Sequence, residues 1–268
     1  MLLPTIDILI CTIGKRINRV PDILLSPEDG INYIISHQTD GHYDYPQALS
    51  LRPDVKVFQI NGRGLSANRN NAISHSTADL MVISDDDTTL DSVYLQRLRK
   101  LSLQHPDTDI FTLMVSTPSG GLLHYYPAES FMYPHVPKGF YYNSNEIVIR
   151  KSNRIPQFDT RFGLGAERLQ MGEEDVFIYD CYKKGLQIEY HPYILQTIPN
   201  ITTSSNYNTT PSLQESKGAV LTILHGRIMA TARIIYTAFT MRHKIPFFKH
   251  VKNMFAGMRY ILSTKQTI

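Results

Sequence analysis

The chain has 268 residues, a formal net charge of +3 and two cysteines. That length suits one large domain, or one domain with an appendage, and the apolar share is ordinary for a globular protein with a sizeable core. Cys11 and Cys181 match neither a metal-ligand spacing nor a disulfide framework, which excludes a small cysteine-stapled scaffold and points to a reducing cytosol.

No basic region precedes the first apolar run and no small-residue cleavage site follows it, so a cytoplasmic location is expected. The sequons at Asn200 and Asn208 then read as chance. Charge is unevenly placed. All 24 Asp and Glu lie at or before Glu215, and nine of the 27 Lys and Arg follow it. An acidic body, residues 1–216, followed by a basic tail, residues 217–268, predicts two functional regions.

In chain order, Ile6–Cys11, Ile31–Ser36 and Val55–Ile60 are short, β-branched and bounded by turn residues, and read as strands. Ser66–Ser76 reads as a helix with Ser66 as N-cap. Leu80–Ile83 is another strand, and an acidic run follows it directly. Asp91 suits the N-cap of a helix through about Leu103, and Ile110–Val115 is the next strand. Residues 118–145 are rich in Gly, Pro, Tyr and His and read as hairpins and loops. Glu146–Arg150 reads as a strand, Glu173–Lys184 as a helix stopped by Gly185, and Leu186–Tyr190 as a strand. Residues 199–216 are polar and read as mobile. This alternation predicts an α/β fold with a mostly parallel sheet covered on both faces.

Open α/β sheets bind ligands at the carboxyl ends of their strands. Ser84-Asp85-Asp86-Asp87 places three carboxylates at such an end. Like charges this close are costly unless a cation offsets them, and a hard divalent cation takes oxygen ligands that it shares with substrate phosphates. An acidic turn that caps the next helix is the competing reading. Gly62-Arg63-Gly64-Leu65-Ser66-Ala67-Asn68-Arg69 opens a helix with an Arg near its start, which suits a phosphate and also suits an ordinary surface helix. Gly172-Glu173-Glu174-Asp175 puts three acids in a first helical turn. The helix dipole is a sufficient reason for them, and a positioned carboxylate there is also a candidate general base.

These elements, taken in order over residues 4–195, resemble the family 2 glycosyltransferases. The ordered features are the polar turn Cys11–Arg16 after the first strand, the Gly-x-Ser-x-x-Arg-Asn helix, the strand ending in Asp-x-Asp, and the acidic motif opening a helix that ends in Lys-Lys-Gly. The segment from Phe162 to Asp175 looks like the acceptor-side loop and base motif of bacterial surface-polysaccharide members. The resemblance implies a GT-A fold, a Rossmann-like mixed sheet with flanking helices, followed here by a C-terminal helical segment. It implies a nucleoside-diphosphate sugar donor, Mn²⁺ or Mg²⁺ as cofactor, a glycan or lipid-linked acceptor, and inversion at the anomeric carbon. Thr12, Gly14, Arg16 and Arg69 would lie near the nucleotide or its phosphates. Asp85 and Asp87 would form the Asp-x-Asp pair beside Asp86, with Asp87 nearer the metal and His191 as a further ligand. Counting back from Phe177 favours Glu174 as the base, with Asp175 as runner-up and Glu173 beside them. A sugar nucleotidyltransferase is the alternative, with Gly14-Lys15-Arg16 as a meagre version of its phosphate loop.

Residues 217–262 read as helical, broken at Pro246. Lys249, Lys252 and Arg259 adjoin an apolar arc of Phe248, Val251, Met254, Phe255, Met258, Ile261 and Leu262. A basic amphipathic helix suits an anionic membrane surface, here the inner face of the membrane. Packing on the catalytic domain or on a second subunit is the other reading. Arg227 and Arg233 speak against a spanning helix, and no nucleic-acid motif is present.

Overall fold

The computed structural model describes residues 3–199 and 206–264. The sequon at Asn200 and the last tail lysine, Lys265, lie outside them. Internal contacts divide the chain into two compact units. The first combines residues 1–62, 68–156 and 180–200; the second combines 63–67, 157–179 and 201–268.

The elements in chain order are β1 (Ile6–Ile13), β2 (Ile31–Gln38), α1 (Gln47–Ser50), β3 (Val55–Ile60), α2 (Leu65–His75), β4 (Leu80–Asp85), α3 (Ser92–Gln104), β5 (Ile110–Ser116), β6 (Phe131–Met132), β7 (Ile147–Arg150), α4 (Glu173–Lys183), β8 (Ile188–Thr197), α5 (Pro211–Thr240) and α6 (Phe247–Ser263). The first unit is built on an eight-stranded sheet in the order β3-β2-β1-β4-β7-β5-β8-β6. Strands β1 to β4 are mutually parallel, as are β5 and β8. β7 runs antiparallel between β4 and β5, and β6 antiparallel to β8. This is the mixed, mostly parallel sheet that the alternating pattern predicts.

Ile6 to Thr12 are all buried in β1, as a strand with both faces covered requires. The one acid among them, Asp7, is satisfied there. Its Oδ2 accepts from Ser76 Oγ at 2.7 Å and from the backbone N–H groups of Thr77 and Ala78 at 2.9 and 3.1 Å. It thus ties β1 to the turn that leads into β4. The chain proceeds outward from β1 through β2 to β3, then returns to add β4 on the other side of β1. The carboxyl ends of β1 and β4 therefore flank a topological switch point, where open α/β sheets bind ligands.

In the second unit, Phe162, Leu169 and Val176 pack with Ala219 and Val220 of α5. α5 and α6 cross where a Cβ at Gly218 would meet the Met254 carbonyl and a Cβ at Gly257 would meet that of Glu215. α5 kinks at Gly226, whose φ is 71°.

Several sequence expectations are corrected. The boundary at 216/217 falls inside α5, which starts at Pro211 and buries Leu213, Gln214 and Ser216, so the stretch read as mobile is helical from 211. Ser66 lies inside α2 and is no N-cap; its Oγ donates to the Phe162 carbonyl at 2.7 Å. β8 runs on to Thr197 through Pro192, because a register shift against β5 removes the need for an N–H there. For α6, where the sequence leaves membrane contact and packing both open, Met254 and Met258 pack with Leu221, Ala230 and Ile234 of α5, so this part of the apolar arc is internal packing.

Candidate active site

β1 and β4 stay in register up to Cys11 opposite Asp85, so Thr12 and Asp86 leave the sheet side by side. Asp86 is buried and engaged within the protein. It accepts from Thr12 Oγ1 at 2.6 Å, from Arg16 Nε at 3.0 Å, and from Arg16 Nη2. A bidentate Arg–carboxylate pair is among the stronger polar contacts available, and here it fixes the loop after β1 to the end of β4. Gly14, at a φ of 51°, opens a 3-10 helix, and its carbonyl is 2.9 Å from His37 Nε2.

Asp85 is held from the other side. Asn145 Oδ1 accepts from its backbone N–H at 3.2 Å, and Asn145 Nδ2 donates to its Oδ2 at 2.8 Å. Its Oδ1 lies 3.8 Å from Nη2 of the buried Arg69, which donates to Ser144 Oγ at 2.6 Å. Ser144 and Asn145 belong to a turn closed at both ends by a capping box between Asn143 and Glu146. Gln196 Nε2 from β8 donates to the carbonyls of Ile83 and Asn145, at 2.9 and 2.5 Å. Asn145, Ser144 and Gln196 are site residues the sequence reading missed. The Asn-x-x-Glu box was visible in it, but its partner Asp85 is sixty residues away in sequence.

Asp87 is the outward member, 45% exposed, with Arg16 Nη2 at 3.3 Å from its Oδ2. Partial burial and the adjacent Asp85 and Asp86 push its carboxyl above the usual range, while Arg16 pulls it back. A cation there would relieve that repulsion. Oxygen donors on an open rim fit a hard divalent ion that completes its shell with phosphate and water.

The structure brings Thr12, Gly14, Arg16, Arg69, Asp85, Asp86 and Asp87 together and leaves His191 out. His191 stacks edge-on against His105 at the C-terminal end of α3, with ring centroids 4.4 Å apart. The acidic run precedes the N-terminal end of that 13-residue helix. At 1.5 Å per residue the helix is about 20 Å long.

Glu173, Glu174 and Asp175 form the first turn of α4 and belong to the second unit. Glu173 is buried beside Gly163, where a Cβ would come within 3.3 Å of the Glu173 carboxyl carbon. Burial raises the Asp175 carboxyl, and Lys217 opposes that rise. Glu174 is part-exposed. The thiols are structural: both are buried and free, and burial pushes Cys11 up to about 12.

Residues 32–162 match the protein-family model described as glycosyl transferase family 2. This stretch is a glycosyl transferase family 2 region, and the chain is a glycosyltransferase. The matched stretch contains Arg69, Asp85–Asp87 and Asn145, and it ends before Glu173. Among solved structures, S. aureus TarS residues 1–349 is similar at 13% identity and a TM-score of 0.59, covering 98% of this chain and 93% of that one. The same fragment in complex with UDP-GlcNAc is similar at 11% identity, a TM-score of 0.58 and the same coverage. A longer TarS structure, 10% identical with a TM-score of 0.58, is matched over 94% of this chain and 55% of its own length. At such identities the likeness is one of fold, the GT-A fold. A comparison with curated proteins gave no match. The nucleotidyltransferase alternative yields to the family match.

Proposed function

We infer that this glycosyltransferase takes its sugar from a nucleoside-diphosphate donor bound at the rim of β1 and β4. The observation behind this reading is the division of labour in the acidic run. Asp86 is consumed by Thr12 and Arg16, Asp85 is pinned by Asn145, and Asp87 is left outward with an unfavourable charge. Asp87 and Asp85 would hold Mn²⁺ or Mg²⁺, which when bound neutralises charge on a leaving diphosphate. Arg69 is buried, with its Nη2 3.8 Å from Asp85 Oδ1, and helps to orient that carboxylate. Glu174 is the proposed base that removes the proton of the attacking acceptor hydroxyl, giving inversion, with Asp175 its rival in the same turn. The test is thermal shift with UDP and UDP-GlcNAc, the latter because a similar TarS structure binds it, each with and without Mn²⁺. Metal-dependent stabilisation is expected, and its absence across nucleoside diphosphates overturns the reading.

The acceptor is proposed to be a cell-surface glycan or its lipid-linked precursor, met at the inner face of the membrane. Support comes from the exposed side of α5 and α6. Ile228, Tyr236 and Phe248 are 89%, 69% and 84% exposed, among the exposed bases Arg227, Arg233, Arg242, Lys244, Lys249 and Lys252. Arg242 lies over the Phe239 ring at 4.1 Å, beside a shallow groove of about 500 Å³ lined by Ile235, Tyr236, Phe239 and Phe247. Apolar side chains among cations suit an anionic lipid surface. α5 is also long and apolar enough to cross a membrane by length and composition alone, but its buried residues, among them Leu213, Gly218–Thr222, Ala230, Ile234 and Ala238, face protein. Flotation with vesicles containing phosphatidylglycerol should retain the protein, and neutral vesicles should not. Equal failure on both, or a dimer in solution that Phe248→Ser dissolves, would reassign this face to a second copy.

A further inference from the structure

We propose that His105, Glu189 and His191 form a second, structural metal site for a zinc-like ion, separate from the rim of β1 and β4. Glu189 and His191 are two residues apart on β8, so the strand's alternation sends both side chains to one face. His105 reaches them from the C-terminal end of α3. His105 Nδ1 and His191 Nε2 lie 2.9 and 3.0 Å from the same atom, Glu189 Oε2, and the three ligand atoms fall within 4.8 Å of one another. Ligands at about 2.0–2.1 Å around a tetrahedral ion stand roughly 3.3 Å apart, so each histidine needs to open from Glu189 by only a few tenths of an ångström.

Three further features fit a ligand set. His191 lies at the start of a bulge in β8: Tyr190 pairs with Thr112 and Ile194 with Met114, so β8 has two extra residues between them. Bulges re-aim side chains in this way. The other ring nitrogen of His191, Nδ1, lies 3.3 Å from Ser130 Oγ, the kind of outer hydrogen bond that orients a metal-binding imidazole. The His105 backbone is fixed at both groups, its N–H donating to Leu101 and its carbonyl accepting from Arg150 Nη2 at 2.9 Å. The side chains of His191 and Glu189 are 10% and 16% exposed and that of His105 is 36% exposed, which leaves one open side for a water as fourth ligand. On binding, the protons that His105 Nδ1 and His191 Nε2 direct at Glu189 leave those atoms, each moving to the other nitrogen of its ring or passing to solvent; for His191 that nitrogen is Nδ1, whose proton Ser130 Oγ accepts. The ion would clasp the end of α3 to the bulge of β8.

The test is calorimetric titration of the full chain with ZnCl₂ alone, without nucleotide, together with Co²⁺ loading followed by its visible ligand-field bands. One ion per chain and four-coordinate cobalt bands are expected. His105→Gln and His191→Ala should each weaken zinc by at least about 100-fold, and the surface variant Ser130→Ala by roughly 10-fold. Circular dichroism confirms that each variant is folded. Failure of the wild-type protein to bind zinc, or zinc binding unchanged in folded His105→Gln, overturns the proposal. So does a single ion lost with Asp87→Asn and kept with His105→Gln, which would place the metal at the donor rim alone.

Discussion

Within the acidic run, Asp87 has the fewest partners, a single contact to Arg16. With its carboxyl raised by burial and by Asp85 and Asp86, the folded state holds the proton more tightly than the unfolded chain does. The stability gained from that protonation is therefore present at low pH and is lost as pH rises through the raised value. Asp87→Asn should raise the melting temperature of the metal-free protein at neutral pH and cut transfer by about 100-fold or more. A scan of unfolding against pH, with a transfer assay, checks both. Metal affinity of the wild-type protein should fall on the acid side at a pH above the ordinary carboxylate range, where metal-free Asp87 takes up its proton. Asn145 is the matching positioning residue. Asn145→Ala removes two hydrogen bonds from Asp85, each worth about 1 kcal/mol, so donor KM should rise roughly tenfold or more. Glu174→Gln should abolish transfer and leave donor binding intact in the thermal-shift assay. Full activity in that variant, with loss in Asp175→Asn, would move the base by one residue.

At the scale of elements, the local rules predict well where local chemistry decides. Asp91 caps α3, its Oδ1 accepting from the Val93 N–H at 2.7 Å, and Gly185 ends α4 with a φ of 74°. They fail where a distant partner decides. Ser66 has the chemistry of a cap, yet Phe162 claims its hydroxyl. The α5–α6 crossing depends on two glycines that no periodicity flags. Gly257→Ala should cost about 3 kcal/mol in urea unfolding, because the Glu215 carbonyl occupies the space of the new methyl and belongs to a rigid helix.

At the scale of the molecule, the second unit joins residues 157–179 to the C-terminal helices. A chain ending at Ser216 would leave Phe162, Leu169 and Val176 without Ala219 and Val220. It should be recovered as aggregate, and a soluble, cooperatively unfolding product would show that the two halves are independent.

The sequence by itself determined the α/β class, the strand that ends in the acidic run, and the family, because short buried strands and a charged strand end are written in consecutive residues. Only the tertiary structure decided what each carboxylate does. Asp85, Asp86 and Asp87 are alike in sequence. They differ in which partners reach them, Asn145 for the first, Thr12 and Arg16 for the second, and a single long contact to Arg16 for the third. His191 shows the same limit, since its place beside His105 follows from a sheet register and a helix end that no spacing in the chain encodes. Hydrogen bonds act over about 3 Å in space and are indifferent to separation along the chain.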